Sequence, residues 1–194
     1  MELSRVGSHE GGESVLFEKD LGEIYAEARE ITLGTRGKLT PDRAENNLRI
    51  IRERILRGLT GCGWKIGPRI FPFSAPAMFQ RGHYRLDASK TTGSGAALGI
   101  IFHFGGSEFL IRQFMLISEA VRRGIADCAI LALITRDFKA RVTGRPSCYE
   151  QARRLLRAYG QSAFPGVPMV LWGLTPDSVP SELADARAGL RAGD

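Results

Sequence analysis

Asp87 is the residue whose type and position best suit metal chemistry in this sequence. It follows the strand-like segment HYRL and precedes a turn-prone stretch, so we expect its carboxylate to project from the end of a strand. Carboxylate oxygens are the ligands that Mg²⁺ prefers, and a bound Mg²⁺ activates water and offsets charge on a phosphoryl group during transfer. Asp87 is therefore a candidate metal ligand and catalytic residue. The alternative interpretation is that its side-chain oxygen caps the following Thr-Thr-Gly turn.

Two histidines, His83 and His103, could add to such a centre. An imidazole can orient a water molecule, or can bind a softer metal such as Mn²⁺, Zn²⁺ or Ni²⁺. His83 precedes Asp87 by four residues, so the three side chains form a candidate constellation, although its spacing is not diagnostic of a metal site. The alternative is structural: His103 alternates with Phe102 and Phe104 and would then only hydrogen-bond at the surface of a sheet.

A basic segment lies between the last two predicted strands. Its cations are Arg136, Lys139, Arg141 and Arg145, with Asp137 as the acidic residue among them. We expect Gly144 and Pro146 to prevent regular structure there. Guanidinium groups on such a loop can contact phosphates or guanine edges, which makes Lys139, Arg141 and Arg145 candidate DNA-binding residues. The alternative is a solvated loop without a ligand.

A second group of arginines lies on the predicted helix 41–61. Its members are Arg43, Arg49, Arg52, Arg54 and Arg57, and they are interspersed with Glu45 and Glu53. Charged residues around an amphipathic helix are usually solvated. We therefore interpret this helix as structural.

Composition limits the class of protein. The chain has 194 residues, 43% of them hydrophobic, which suits one domain with a proper core. The three cysteines form no C-x-x-C pair, so the sequence indicates neither a disulfide framework nor a zinc cluster, and a reducing cytoplasm fits best. No apolar run approaches the roughly 20 residues of a membrane helix. The net charge of +6 favours an acidic partner.

Apolar periodicity predicts both helices and strands. Helical spacing recurs in residues 17–34 and 41–61, and in the second helix Leu48, Ile51, Ile55 and Leu59 form the apolar stripe. Extended segments are predicted at 64–73, 82–86, 96–104, 126–134 and 167–174, and further helices at 107–123 and 149–159. The nearly uninterrupted apolar runs among these strands are typical of burial on both faces. The sequence therefore predicts an α/β fold with a mixed β-sheet flanked by α-helices.

The predicted elements divide the chain into three parts. Residues 1–13 are rich in Gly, Ser and Glu without periodicity, so we expect a flexible arm. Residues 14–176 contain the predicted elements and form the domain. Residues 177–194 are an alanine-rich tail with at most one short helix.

The order of several short segments is similar to that of a known enzyme family. GCGWKIGPRI follows the second predicted helix, and RLDASK, IIFHFGG, IADCAILALI, GRPSCYEQ and PGVPMVLWGL come after it. Over residues 14–176 this order resembles type II restriction endonucleases of the BglII and BstYI kind, in the PD-(D/E)-x-K superfamily. The matching positions are Asp87, the Phe104-Gly105 step, Asp127 and the Tyr149-Glu150 pair.

The resemblance carries expectations about fold, partner and cofactor. It implies a restriction-endonuclease-like fold, double-stranded DNA as the ligand, Mg²⁺ as the cofactor and a homodimer that matches a symmetric DNA site. It also implies a cytoplasmic protein without membrane association, and places DNA contacts in the loop before Tyr149.

One pair of residues departs from the family pattern. In that family the strand Asp is followed by a Glu-x-Gln pair on the next strand, where this chain has Ile101 and His103. An aliphatic side chain cannot bind Mg²⁺. Three explanations are open: cleavage is lost while DNA binding survives, a carboxylate enters from a neighbouring helix, or the insert TTGSGAALG shifts the alignment. The candidate replacement carboxylates are Glu45, Glu53, Glu108 and Glu119.

Three functional hypotheses follow. The first is a DNA-binding protein of this fold whose metal-dependent cleavage site is degenerate. The second is an active Mg²⁺-dependent endonuclease with a relocated carboxylate. The third is a protein-interaction or assembly subunit that uses the same fold. If a metal is bound, Mg²⁺ is implied by the resemblance, and a softer divalent ion is the alternative that His103 suggests.

Overall fold

The computed structural model of the protein describes residues 2–9, 48–71, 84–93, 95–140, 142 and 144–175. The predicted helix at 17–34, His83, Arg141 and the tail lie outside the described residues. Within the described ranges, no helix is long and apolar enough to cross a membrane.

Six strands of the described residues form one mixed sheet. In chain order they are β1 (Glu2–His9), β2 (Lys65–Ile66), β3 (Ala88–Thr91), β4 (Ala97–Phe102), β5 (Cys128–Ile134) and β6 (Met169–Thr175). Their order across the sheet is β1-β6-β5-β4-β3-β2. The central strands β4, β5 and β6 are parallel, whereas β1, β2 and β3 pair antiparallel towards the two edges. The predicted mixed sheet is confirmed.

Helices cover both faces of this sheet. They are α1 (Leu48–Gly61), α2 (Leu110–Arg122), α3 (Arg136–Lys139) and α4 (Tyr149–Ala163), and a 3₁₀ turn at Ser107–Phe109 precedes α2. The predictions for α2 and α4 are confirmed to within a few residues. The prediction of irregular structure was wrong for α3, because the buried side chain of Phe138 anchors that short turn.

Two apolar layers hold the helices to the sheet. On one face, Ile55 and Leu59 of α1 pack with Ile100 and Phe102 of β4. On the other face, α2 and α4 pack against the sheet in a layer that includes Ile101 of β4. Successive side chains of a strand point to opposite faces, so β4 is buried on both sides. Each fully buried aliphatic side chain stabilises the fold by about 1.5–3 kcal/mol.

The N-terminal segment differs from the expected flexible arm. Glu2–His9 forms β1, which pairs antiparallel with β6 from Glu2 opposite Thr175 to His9 opposite Met169, with an irregularity between Leu3 and Arg5. Backbone groups make these bonds, and without them β6 would be an exposed edge strand with unpaired N–H and C=O groups. Side-chain periodicity could not reveal a pairing that rests on the backbone.

The topology brings the candidate residues to one edge of the sheet, by which we mean from here on the side where β4 and β5 end. The carboxyl ends of β4 and β5 lie at the same edge because these strands are parallel, and they lead into His103 and Arg136. β3 runs antiparallel to β4, so its beginning lies at that edge too, directly after Asp87. The expected extended segment before Asp87 is present in its described part as an isolated antiparallel bridge between Arg85 and Arg69, whereas the regular strand begins after Asp87, where the chain pairs with β4.

Candidate functional site

Protein groups hold both oxygens of the Asp87 carboxylate. Its Oδ2 accepts a hydrogen bond from the backbone N–H of Phe102 at 2.6 Å, and its Oδ1 accepts one from Nη2 of Arg52. The backbone N–H of Asp87 donates to the carbonyl of Ile100 at 2.9 Å, which fixes the residue against β4. The side chain is 12% exposed, so the carboxylate is held in a shallow recess at the sheet edge.

The turn-cap interpretation of Asp87 was wrong. Thr92 closes the turn before β4: its Oγ1 accepts from the backbone N–H of Ala96 at 3.1 Å and lies 3.2 Å from the Ala96 carbonyl. Asp87 instead connects β3, β4 and α1.

Arg52 is the site residue that the sequence interpretation missed. It extends from α1, which we interpreted as structural, and forms an ion pair with Asp87 while 42% of its side chain stays exposed. A signal was present in the sequence. Leu48, Arg52, Ile55 and Leu59 follow the spacing of a single helical face, which places one arginine in an otherwise apolar stripe.

Ile101 lies next to Asp87 but faces the core. Ala88 pairs with Ile100 in the antiparallel register, so the next step along the two strands sets Asp87 beside Ile101. The Ile101 side chain is only 5% exposed and packs in the layer under α2, with Phe114 and Leu131. The neighbour of Asp87 on β4 therefore contributes packing and no metal ligand.

His103 ends β4 as a buried residue, 4% exposed. Its backbone N–H donates to the carbonyl of Ala132 at 2.9 Å, and its Nε2 lies 3.2 Å from the carbonyl of Gly106, to which the neutral ring donates. Burial lowers the pKa of His103 below 6.5, and the hydrogen bond to Gly106 and the negative charges of Glu108 and Asp87 oppose this effect. The imidazole is therefore neutral at pH 7.

Glycine at positions 105 and 106, in the loop that follows β4, is explained by steric contacts. A Cβ at Gly105 would lie 3.1 Å from Cε1 of His103, and one at Gly106 would clash with the carboxylate oxygens of Glu108. The chain thus allows the His103 ring and the Glu108 carboxylate to lie close over the backbone of this loop.

Of the four candidate replacement carboxylates, Glu108 alone is placed near the site among the described residues. Its carboxylate folds back over Gly106 and acts electrostatically on His103. Glu119 pairs with Arg123, and Glu53 pairs with Arg49 at 3.0 Å. Glu45 lies outside the described residues.

The described residues do not fit a divalent metal centre. No group of three or more His, Cys, Asp or Glu side chains in the described ranges is arranged to hold a metal ion. Both oxygens of Asp87 already accept hydrogen bonds, and Nε2 of His103 is directed at a backbone carbonyl. The predicted Mg²⁺ ligand Asp87 therefore has a guanidinium where a divalent cation would bind.

The basic segment lies beside this centre. Arg136 and Arg145 are exposed and Lys139 is half-buried, whereas Arg141 lies outside the described residues. Ser147 ties the segment to the His103 loop, because its N–H and its Oγ both donate to the carbonyl of Gly105, at 2.8 and 2.9 Å. The described cations of this segment and the Asp87 centre thus share one edge of the sheet.

Three motif residues beyond Asp87 have structural roles in this chain. Asp127 joins β5 to β4, since its Oδ2 accepts from the backbone N–H of Ala97 at 2.7 Å. Tyr149 is buried in the layer under α2 and α4. Glu150 accepts from the backbone N–H of Arg136 at 3.0 Å and so fixes the start of α3.

Comparison with solved structures identifies the fold. The crystal structure of restriction endonuclease BglII complexed with a DNA 16-mer matches with a TM-score of 0.67 and 17% sequence identity, over 93% of this chain and 79% of that chain. Free BglII matches with a TM-score of 0.56 and 18% identity, over 93% of this chain and 82% of that chain. No protein-family model and no curated protein sequence matches. The protein therefore has a BglII-like restriction-endonuclease fold.

Proposed function

We propose that this protein binds double-stranded DNA at the sheet edge that carries Asp87 and the basic segment, and that its metal-dependent cleavage site is degenerate. The observation that carries the proposal is the pairing of Asp87 with Arg52, next to a core-facing Ile101. DNA is the proposed ligand because the fold is similar to that of a restriction endonuclease whose structure contains DNA.

The degenerate site follows from the ligands available. A phosphodiester-cleaving Mg²⁺ site needs oxygen ligands close together, and Asp87 has Ile101 as its neighbour on β4. Mg²⁺ bound through one carboxylate would keep most of its waters and bind weakly, and Arg52 competes for the same oxygen. Water activation and phosphoryl charge stabilisation would fail together, so we expect no Mg²⁺-dependent cleavage above background.

Electrostatics support the DNA ligand. The chain carries a net charge of +6, and Arg136 and Arg145 are exposed at the proposed edge. Each phosphate contact made by such a cation releases condensed counterions, so binding should weaken steeply as salt rises. The neutral Asp87–Arg52 pair adds no net negative charge at the surface that a phosphate would approach.

Assembly as a homodimer belongs to the same proposal. A two-fold symmetric duplex site is matched by two copies of one chain. The outward side of α2 and its preceding turn presents Phe109, Ile111 and Met115, whose residues are 48%, 55% and 61% exposed. We propose that a second copy of the chain covers this apolar surface.

An active endonuclease is the second candidate function, and Glu108 is the observation that favours it. The Glu108 carboxylate lies at the same edge as Asp87 and acts on His103. If it provided the second acidic ligand, wild-type protein would cleave DNA with Mg²⁺, and both Asp87→Ala and Glu108→Gln would abolish cleavage.

The test combines binding and cleavage on the same duplex pool. Wild-type protein should bind duplex DNA with a steep salt dependence, and Arg141→Ala with Arg145→Ala should weaken binding and flatten that dependence. The matched control replaces two exposed arginines outside both the basic segment and the proposed dimer surface, Arg57→Ala on α1 with Arg157→Ala on α4. Equal affinity of the two double variants, or salt-insensitive binding, would remove the basic segment from the proposal.

Cleavage is measured on the same samples with Mg²⁺ added. Robust wild-type cleavage that disappears in Asp87→Ala would contradict the degenerate-site hypothesis and favour the second candidate. Absence of DNA binding at low salt would favour an assembly subunit.

A further inference from the structure

We propose that Arg52 is a built-in counter-cation for Asp87, which lets the sheet edge accept a DNA phosphate without a divalent metal ion. This inference rests on the proposed DNA-binding function and concerns the role of metal in it. Arg52 would position the DNA backbone at this edge of the sheet while it neutralises Asp87.

The geometry gives Arg52 one contact and leaves much of its side chain accessible. One Nη of its guanidinium donates to Oδ1 of Asp87, while 42% of the side chain is exposed to solvent. A guanidinium has five N–H donors in a planar fork, so one edge can hold a carboxylate while other donors face a phosphate. Asp87 itself is 12% exposed, which leaves Arg52 as the more accessible member of the pair.

The charge balance explains why the pair matters for DNA. A recessed carboxylate without a cation would repel an approaching phosphate, and in a two-carboxylate metal site a divalent ion removes that repulsion. Here the pair of Asp87 and Arg52 is neutral before any ion binds. The backbone N–H of Phe102 satisfies the remaining carboxylate oxygen, so the centre is complete without metal.

Removing the guanidinium should therefore create a requirement for metal. In Arg52→Gln the Asp87 carboxylate keeps its charge, and we expect DNA affinity in EDTA to fall roughly tenfold to a hundredfold, the effect of losing one charged hydrogen bond. Adding Mg²⁺ or Ca²⁺ should restore much of this affinity, because Asp87 and the DNA phosphate together offer the oxygen ligands that neither offers alone. A purely structural role for Arg52 would not produce rescue by a divalent ion.

Three further variants separate charge from folding. Arg52→Lys keeps the cation and should bind DNA without metal. The double variant Arg52→Gln with Asp87→Asn has no carboxylate to neutralise, so it should recover metal-independent binding even though both partners are changed. Arg49→Gln is the matched control, since it removes the same charge from α1 but from an arginine that pairs with Glu53.

The experiment is a DNA-binding titration of these proteins in EDTA and in Mg²⁺ or Ca²⁺ at matched ionic strength, with thermal unfolding of each variant as the folding check. The inference predicts that wild-type affinity does not change on chelation, and that metal rescues Arg52→Gln alone. Wild-type binding that is lost in EDTA, or an Arg52→Gln variant that binds like wild type in EDTA, would overturn it while leaving the DNA-binding function intact. Absence of wild-type binding in every buffer would instead reject the proposed function, and this inference with it.

Discussion

Replacing Ile101 by Glu is the most direct test of the core position that stands next to Asp87. This change introduces a carboxylate beside Asp87 along β4, but in the apolar layer under α2. Ile101 is 5% exposed there and packs with Phe114 and Leu131. We expect the variant to fold with much reduced stability.

The expected loss is the sum of two effects. Removing a fully buried Ile side chain from the apolar layer costs about 1.5–3 kcal/mol. Burying an ionised carboxylate without a dedicated partner adds several kcal/mol, part of which the protein avoids by raising the pKa of the new carboxyl group. A total of about 4–5 kcal/mol at pH 7 is at the extreme end of single substitutions and a large fraction of the 5–15 kcal/mol of a typical domain.

The pH dependence identifies the charge. The pKa of the new carboxyl group is higher in the folded variant than in the unfolded chain. At pH values between these two pKa values the folded variant binds more protons than the unfolded chain, so its stability falls as pH rises. The deficit relative to wild type should therefore be smaller at pH 5 than at pH 7. Chemical denaturation at both pH values measures it, with each variant compared with wild type at the same pH.

Two controls resolve the contributions at this position. Ile101→Gln has nearly the shape of the Glu variant without its charge, so it should lose less stability at pH 7 and show no added pH dependence. Ile101→Val should cost only about 0.5–1.5 kcal/mol. A Glu variant as stable as the Val variant at pH 7 would refute the reasoning, because it would show that position 101 reaches solvent or a cation.

Two further predictions concern His103 and the outward side of α2. The pKa of His103 is below its unfolded value of 6.5, so the unfolded chain binds more protons as pH drops from 6.5 through the folded pKa. The free energy of unfolding of the wild-type protein should therefore fall as pH drops through that window. His103→Gln, which can still donate to Gly106, should reduce this fall, and denaturation curves at pH 5, 6 and 7 measure it. Light scattering should find a dimer, and Ile111→Glu with Met115→Glu should give a monomer that remains folded by circular dichroism. A wild-type monomer at micromolar concentration, with and without DNA, would contradict the dimer.

Much of the fold could be predicted because the sheet is buried on both faces. The β5 segment CAILALI is buried at every position, and such uninterrupted apolar runs are visible in a single sequence. The helical stripes of α2 and α4 were equally clear, since their buried residues recur every three or four positions. The positions of Asp87 and His103 at one sheet edge then follow from the antiparallel pairing of β3 and β4.

Features that depend on distant or backbone partners could not be predicted in this way. β1 pairs through main-chain groups, which leave no period in the side chains of residues 2–9. The partner of Arg52 lies 35 residues away, and nothing in the composition of α1 distinguishes a site arginine from a solvated one. Only the place of Arg52 within the apolar stripe of α1 separates it from Arg49, which is on the exposed side and pairs within its own helix.

The residues Ile101 and Arg52 depend on each other through Asp87. With Ile101 as its strand neighbour, Asp87 is a single recessed carboxylate, and the guanidinium of Arg52 balances its charge at short range. Adding Glu at position 101 alone would place a carboxylate in the layer under α2, while Arg52 on α1 would still donate to Oδ1 of Asp87. A divalent ion at Asp87 would therefore have to displace Arg52 whether or not position 101 is acidic. The double variant Ile101→Glu with Arg52→Gln removes that competing cation, so it is a sharper test of metal binding beside Asp87 than Ile101→Glu by itself.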